Sequence, residues 1–428
     1  MVVRYNYKNI RRRIINNLIG FNFFRNPYKN LKIVGVTGTS GKTTTATLLY
    51  KITTALGYKA GLLSTVENII AGKIKPSSEK GPATSPDLSK LKKLLEEMFE
   101  KGCEYVFMEV SSIAEDQNRL AGIKFSGGIF TNLSQDHIDY HKTIKNYFLA
   151  KKKFFKRLPK DAFALSNVDD NYGVPMVENI KAKKYLYGFS DLELEFPNGK
   201  QIPDWRDFHG KILKLDIEGL ELDFNGEKVK SKLLGKFNAY NLLGVWSACK
   251  LLGFDMRKVK EIIETIEPPR GRFDHFTSPD GVLAVVDYSH KPDALKNILL
   301  AIKEVKPKNS RIISVFGCGG DRDPVKRPMM GKIGASLSDV AIFTSDNPRS
   351  EDPNAIIERM KDDLTHEGSV KVITILDRRL AIAEAVELSK KGDVVLVAGF
   401  GHEHYQEIKG VKNYFNDTEE LQKAFLHK

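Results

Sequence analysis

Lys-Ile-Val-Gly-Val-Thr-Gly-Thr-Ser-Gly-Lys-Thr-Thr-Thr-Ala-Thr-Leu-Leu-Tyr, residues 32–50, reads as a buried strand, a glycine-rich loop and a helix. That order is a phosphate-binding arrangement: Gly38 and Gly41 permit a tight turn whose backbone N–H groups face phosphate oxygens, with Thr39 and Ser40 between them. Lys42 can reach the terminal phosphates, and Thr43, followed by Thr44, can place a hydroxyl on Mg²⁺. Val36 stands where the strict G-x-x-x-x-G-K-[ST] spacing has its first glycine, so the loop is a variant that keeps each physically necessary group. The expected fold class is α/β, with a central P-loop-type ATPase domain and ATP and Mg²⁺ as its cofactors.

Composition bounds the rest. A chain of 428 residues, 41% hydrophobic and 28% charged, can build two or three globular domains. Lys+Arg exceed Asp+Glu by 67 to 54, but acids are interleaved throughout, so polyanionic small substrates fit the charge as well as nucleic acid does. Three widely spaced cysteines, Cys103, Cys249 and Cys318, make neither a metal pair nor a disulfide framework, which points to a reducing cytoplasm. No apolar run has the length of a membrane span. Residues 1–30 alternate basic and apolar side chains at partly helical spacing, interrupted by Asn16, Asn17 and Asn22, which argues against a cleaved signal peptide. Two readings stand: a helix packed on its own domain, or a basic segment in weak contact with a membrane surface.

Between Leu31 and Glu267 the pattern continues strand by strand. Gly61–Val66 reads as a strand, Leu88–Lys101 as a surface helix, Glu104–Ser112 as a buried strand carrying Glu109 near its carboxyl end, and Gly127–Leu133 as a third strand. An acid at such a strand end in a phosphate-loop domain can hold Mg²⁺ directly or through water, or can serve a structural ion pair; spacing leaves both open. Residues 131–141, T-N-L-S-Q-D-H-I-D-Y-H, place two acids and two imidazoles together, as metal ligands or a proton acceptor. A helix then starts near Tyr147, and its three successive lysines, Lys151 to Lys153, read on composition as a solvated face.

The runs T-G-T-S-G-K-T-T, M-E-V-S-S, T-N-L-S-Q-D-H-I-D-Y-H and Y-F-L-A-K resemble the central domain of the ATP-dependent Mur ligases. G-K-F-N-A-Y-N (235–241), P-R-G-R-F-D (269–274), V-V-D-Y-S-H-K-P-D-A-L (285–295), F-G-C-G-G-D-R-D (316–323), S-D-N-P-R (345–349) and G-F-G-H-E (399–403) continue in the order of the MurE type. The resemblance implies a carbon–nitrogen ligase of peptidoglycan synthesis. Such an enzyme moves a γ-phosphoryl group onto a carboxylate and then replaces it by an amine. It implies that Lys151 is carbamylated, that Glu109 and His137 are Mg²⁺ ligands with Thr43, and that Asn238 and Asn241 lie near the adenine. Lys42, Lys151 and His137 are thereby the catalytic set.

From Pro268 to Lys428, strand candidates at 283–288, 311–316, 340–344, 370–376 and 394–398 alternate with helical segments at 292–305, 326–338, 353–365 and 378–390. This is the signature of a Rossmann-like parallel sheet covered on both faces, with ligands at the strands' carboxyl ends. By resemblance, Asp346-Asn347-Pro348-Arg349 selects meso-diaminopimelate through an arginine fork on its distal carboxylate, with Arg322 nearby and Gly399 and Glu403 on the distal ammonium. Arg272 and Asp287 correspond to the nucleotide-facing side, and Thr84, Ser85, Gln117 and Arg119 to contacts with the muramoyl-peptide substrate.

The domain expectation is thus an N-terminal segment 1–30, an ATP-binding domain 31–267 and an amino-acid domain 268–428. Relatives of the MurE type carry a longer first domain for uridine diphosphate, and this chain has Ile113, Ser85 and Phe400 where they have histidine, threonine and lysine. Two alternatives therefore stay open: the same ligation on a non-uridylated, lipid-linked or polyglutamate-like acceptor, and a basic phosphate-loop ATPase. Against the second, no aromatic-interleaved basic stripe marks a nucleic-acid surface. The expected partners are small-molecule substrates, ATP, an amino acid and a muramoyl peptide, and the expected state is a monomer in the cytoplasm.

Overall fold

The computed structural model describes residues 28–75, 85–189 and 206–428. Apart from Tyr28–Asn30, the N-terminal segment lies outside the described residues, and so does Thr84. Two compact units emerge. The first comprises the described residues up to Leu213 with Glu221–Ser231 and Phe237–Ile266; the second comprises Lys214–Leu220, Lys232–Lys236 and Glu267–Lys428.

Strands β1 (Lys32–Thr37), β2 (Ala60–Leu63), β3 (Asn68–Ile70), β4 (Lys73–Lys75), β5 (Tyr105–Glu109), β6 (Gly127–Phe130), β7 (Phe163–Asn167), β8 (Lys183–Gly188), β9 (Arg206–Asp216), β10 (Gly219–Phe224) and β11 (Glu227–Ser231) form one sheet, in the order 11-10-9-8-7-6-1-5-2-3-4. From β2 to β9 each neighbouring pair is parallel, and β1, the strand that feeds the phosphate loop, lies between β5 and β6. Parallel strands buried on both faces read as unbroken apolar runs, which is why Val-Phe-Met of β5 and Ile33-Val34 of β1 carry no alternation. The strands after Lys183 were not anticipated: β8 to β11 are mixed polar and apolar, and their polar positions mask the strand signal.

The helix Ile144–Arg157 is longer than expected because Thr143 caps it, its hydroxyl accepting the Asn146 N–H at 3.1 Å. Its inner face locks onto the sheet through Phe154. A Cβ on Gly35 of β1 or on Gly128 of β6 would lie 2.5 or 2.8 Å from that ring, so both positions must be glycine for the helix to approach this closely. Lys151, one turn before Phe154 on the same face, is carried inward with it and is only 2% exposed. The composition reading of a fully solvated lysine run is corrected here: Lys152 and Lys153 are half-buried, and Lys151 belongs to the interior.

In the second unit, β12 (Asp274–Thr277), β13 (Leu283–Asp287), β14 (Ile312–Phe316), β15 (Val340–Phe343), β16 (Val372–Thr374) and β17 (Val394–Ala398) form a sheet in the order 12-13-17-14-15-16, parallel except for β12. Helices Pro292–Val305, Lys326–Leu337, Pro353–Lys361 and Arg378–Leu388 fill the crossovers. The expected strand at 370–376 shrinks because Thr365 caps a short helix, His366–Val370, that takes Val370 out of the ladder. A hairpin of β18 (Tyr405–Ile408) and β19 (Val411–Tyr414) precedes the final helix, Asp417–His427.

The interior of this unit holds a buried ion pair. Arg378 donates to both Asp417 oxygens at 2.8 Å and to the Ala398 carbonyl at 3.0 Å, and both residues are fully buried. Its guanidinium lies 4.3 Å from the centroid of Phe400, which occupies the position expected for a lysine. Removing one partner leaves an uncompensated charge in low dielectric. Asp417→Ala is therefore expected to lower unfolding stability by about 3–5 kcal/mol, measured by denaturant titration of the second unit's transition.

Candidate active site

The register of β1 against β5 sets Val36 opposite Glu109, so the phosphate loop leaves its strand beside that carboxylate. Glu109 is 1% exposed, and a charge so buried needs partners. Its Oε1 accepts from Thr43 Oγ1 at 2.8 Å and from Thr65 N at 2.7 Å, and its Oε2 accepts from Thr65 Oγ1 at 3.0 Å. The first helical hydroxyl and the strand-end acid are thereby one unit.

The loop itself is held from β6 onward. Thr131 Oγ1 donates to Ser40 O at 2.6 Å, Ser40 N donates to Asn132 Oδ1 at 2.9 Å, and Thr39 N donates to Asn132 O at 2.8 Å. A Cβ on Gly38 would stand 1.9 Å from Thr131 Oγ1, and one on Gly41, at φ +83°, would stand 2.4 Å from Asn241 Oδ1. Asn241 in turn donates to Asn238 Oδ1 at 3.0 Å, which brings both asparagines to the loop's edge. Thr44 is buried in the first turn. Lys42 Nζ donates back to the loop, to Gly38 O at 2.9 Å and Thr39 O at 2.7 Å.

Lys151 Nζ also donates to Gly38 O, at 2.7 Å, and lies 4.5 Å from the Tyr147 ring centroid. Burial, reinforced by the Lys42 charge, holds its pKa well below the ordinary lysine value. Tyr147, whose hydroxyl is 3.3 Å from Thr39 Oγ1, links loop and lysine; sequence reasoning quoted it within Y-F-L-A-K but gave it no role. Thr131 and Asn132 were likewise passed over, although a hydroxyl–amide pair at a strand end next to a phosphate loop was the available signal. His137 stands at φ +54°, 36% exposed, 3.6 Å from Asp136 and with its ring centroid 6.2 Å from that of Tyr147.

Ser85, Gln117 and Arg119, which the resemblance assigned to the muramoyl-peptide substrate, gather at the end of β5. Arg119 donates to Ser85 O at 2.7 Å and, through Nε and Nη2, to Gln117 Oε1 at 3.0 and 2.8 Å, while Ser85 Oγ donates to Glu109 O at 3.1 Å. These contacts connect the three residues with the Glu109 strand end.

In the second unit the D-N-P-R loop follows β15. Asp346 and Asn347 are buried, and a Cβ on Gly399, at φ +128°, would lie 2.6 Å from Asp346 Oδ2. Glu403 accepts from Tyr288 OH and from Asn347 Nδ2, both at 3.3 Å, and burial together with the Asp346 charge raises its pKa. Pro348 carries its carbonyl against Gly320, where a Cβ would lie 2.0 Å away. Arg349 donates to Gly320 O at 2.7 Å. Arg322 is exposed, its Cγ 3.7 Å from where a Cβ on Gly319 would be. Asp287 accepts from Phe273 N at 2.8 Å and from Ser289 Oγ, with its pKa raised by burial; the Arg272 guanidinium lies 5.0 Å from the Tyr288 ring centroid.

A phosphate loop closed on a buried hydroxyl–carboxylate pair marks the first unit as the nucleotide-binding domain of an α/β enzyme. Comparison with known proteins makes the class specific: residues 36–249 match the Mur ligase middle domain and residues 271–401 the Mur ligase glutamate ligase domain. The chain belongs to the Mur ligase family and is an ATP-dependent ligase. It is 50% identical over 403 residues to a UDP-N-acetylmuramoyl-L-alanyl-D-glutamate–2,6-diaminopimelate ligase of Parabacteroides distasonis, covering 94% of this chain and 79% of that one. It also resembles a solved 2,6-diaminopimelate ligase, at 32% identity and a TM-score of 0.67 over 93% of this chain and 79% of the other. Folylpolyglutamate synthase of Thermotoga maritima shares the fold, at 17% identity and a TM-score of 0.64 over 93% of both chains. Among the described residues no helix is long and apolar enough to cross a membrane.

The Gly38 contact yields a direct test. Gly38→Ala drives a methyl group into Thr131 and is expected to raise KM for ATP at least about tenfold while leaving the far-ultraviolet circular dichroism unchanged. Steady-state kinetics with ATP varied checks it.

Proposed function

We propose that this protein joins meso-diaminopimelate to the D-glutamyl carboxylate of UDP-N-acetylmuramoyl-L-alanyl-D-glutamate, converting ATP to ADP and phosphate. The observation that carries this reading is the pocket's charge set: Arg349 offers one guanidinium, while Asp346 and Glu403 offer carboxylates, within a loop network tied by Asn347. A diamino dicarboxylic acid brings an ammonium and an extra carboxylate, the two groups that complement such a set. Lysine would leave the arginine unanswered. The names borne by the relatives supply the acceptor, and Ser85, Gln117 and Arg119 are the described residues that would meet it, with Thr84 next to them in the chain.

In the reaction, the acceptor carboxylate oxygen attacks the γ-phosphorus, the bond to ADP breaks, and an acyl phosphate results. The incoming amine then attacks the acyl carbon, a proton leaves the nitrogen, and inorganic phosphate departs. Negative charge on nucleotide and carboxylate has to be neutralised together, and Lys42, turned from the Gly38 and Thr39 carbonyls to the phosphates, does so at close range. The donor set suits Mg²⁺: the Thr43 hydroxyl and Glu109 carboxylate sit 2.8 Å apart. Among the described residues no three His, Cys, Asp or Glu side chains gather into a complete metal cage. A hard cation held by one or two protein oxygens plus phosphates and waters is the usual form of such sites. Thr43 and Glu109, with His137 and a carbamylated Lys151, are the residues that would hold Mg²⁺, which would supply charge neutralisation there.

Lys151 bears the second half of the reading. A neutral, buried amine can add to CO₂, forming the N–C bond of a carbamate and releasing a proton, which turns a cation into an anion. Intact-protein mass spectrometry at neutral pH is expected to find a carboxyl group on Lys151, lost on acidification. Activity is expected to fall severalfold in CO₂-free buffer and return with bicarbonate; no response in either measurement excludes the modification.

Substrate choice is tested with ATP, Mg²⁺, UDP-muramoyl dipeptide and a panel of amino acids, weighing the products. Diaminopimelate is expected to exceed lysine in kcat/KM by about a hundredfold, and Arg349→Ala to erase most of that ratio. Equal use of lysine by the unaltered protein overturns the amino-acid reading, and turnover confined to non-uridylated peptides overturns the acceptor reading.

A further inference from the structure

Arg349 is a non-glycine residue in the left-handed region, at φ +52°, a conformation that a long side chain holds only when its surroundings impose it. What imposes it is the β18–β19 hairpin. Arg349 N donates to Glu407 O at 3.0 Å, and Lys409 N donates to Arg349 O at 2.7 Å, so both backbone groups of the strained residue are bound to one strand end. Arg349 and Ile408 form a parallel bridge, making the loop a third strand of the hairpin at this one point. Side chains extend the clamp: Gln406 Nε2 donates to Asp346 O at 2.8 Å, and Glu407 N donates to Asn347 Oδ1 at 2.7 Å. The Glu407 carboxylate stands 3.8 Å from Arg349 Nε, and both side chains are about a quarter exposed, at 27% and 24%.

The dependence runs both ways. A two-stranded hairpin is marginal on its own in water, and here every residue of β19 is exposed while Tyr405, Gln406 and Glu407 of β18 are half-buried. Lys409 and Gly410, at φ +49° and +78°, make the tight turn that sets its register, but a turn alone does not hold a hairpin in place. Its anchorage is the D-N-P-R loop.

We propose that the 405–414 hairpin is a specificity element, with Gln406 a positioning residue. By holding the D-N-P-R backbone it keeps Arg349 left-handed and its guanidinium aimed for the distal carboxylate of the amino acid. The choice between a dicarboxylic diamino acid and a monocarboxylic one is therefore set by a backbone clamp as well as by the arginine. This rests on the pocket reading given above, and it names residues that the pocket's own charges do not include.

Gln406→Ala tests it, since it removes one donor on a part-buried carbonyl without touching a pocket charge. The expected result is a rise of about tenfold in KM for diaminopimelate with kcat and KM for ATP within about twofold, and a matching loss of the diaminopimelate-to-lysine ratio. A merely structural role would instead lower kcat for both amino acids together with the melting temperature, and that outcome overturns the proposal. Amide hydrogen exchange without any substrate supplies the independent arm: Gln406→Ala is expected to speed exchange at least about fivefold across residues 405–414 and at 346–349. Unchanged exchange in these segments overturns the clamp. If exchange responds but the unaltered protein uses neither amino acid, the clamp stands and the substrate assignment fails.

Discussion

The buried carboxylate of Glu109 is the constraint from which the first unit's chemistry follows. A charge that is 1% exposed has no water to rely on, and here its two oxygens are answered by one backbone N–H and two threonine hydroxyls. Those partners come from two different places in the chain, the helix after the phosphate loop and the segment after β2, and the acid they meet ends β5. Satisfying one acid thus draws the loop, its helix and the neighbouring strand into a single arrangement before any nucleotide arrives. Pre-organisation of this kind matters because catalysis gains from groups that need not move when charge develops.

The two units handle charge in opposite ways. In the first, two lysines share one carbonyl, Gly38 O, and burial together with the Lys42 charge lowers the pKa of Lys151. In the second, acids crowd together, and Glu403 is pushed toward its protonated form by burial and by Asp346. Each set is costly in the absence of its ligand. A polyphosphate would relieve the first and an ammonium group the second, a local complementarity that the formal net charge of +13 does not describe.

Backbone strain marks the same places. His137, Phe273 and Arg349, at φ +54°, +51° and +52°, are non-glycine residues in the left-handed region, and each lies in a motif shared with the Mur ligases. Such conformations persist where surrounding bonds over-determine them, as the hairpin does for Arg349 and as the Asp287 carboxylate does by accepting the Phe273 N–H. Aiming a side chain into a pocket from a loop demands this kind of enforcement, because the loop lacks a repeating ladder of its own.

How much of this was legible before the structure depends on whether the governing force is local. The strand–loop–helix at residues 32–50, the helix at 292–305 and the strand at 394–398 follow from apolar runs, glycine spacing and proline at a helix start, all of them near-neighbour effects. The chemistry-bearing motifs were visible for the same reason, as short runs with a mechanism. Hidden from that view were the burial of Lys151 within a lysine run, the fold-back of Lys42, the roles of Thr131 and Asn132, and the pairing of residues 405–409 with 346–349. Lys151 is interior because Phe154 fits over two glycines on two strands, and Arg349 is left-handed because a hairpin some 60 residues away binds its backbone. The sequence by itself determined the elements and the kinds of chemical group they carry, since period and turn chemistry act over a few residues. Only the tertiary structure decided which groups are buried, neutral or strained, because desolvation and long-range hydrogen bonding depend on neighbours that the order of residues does not name.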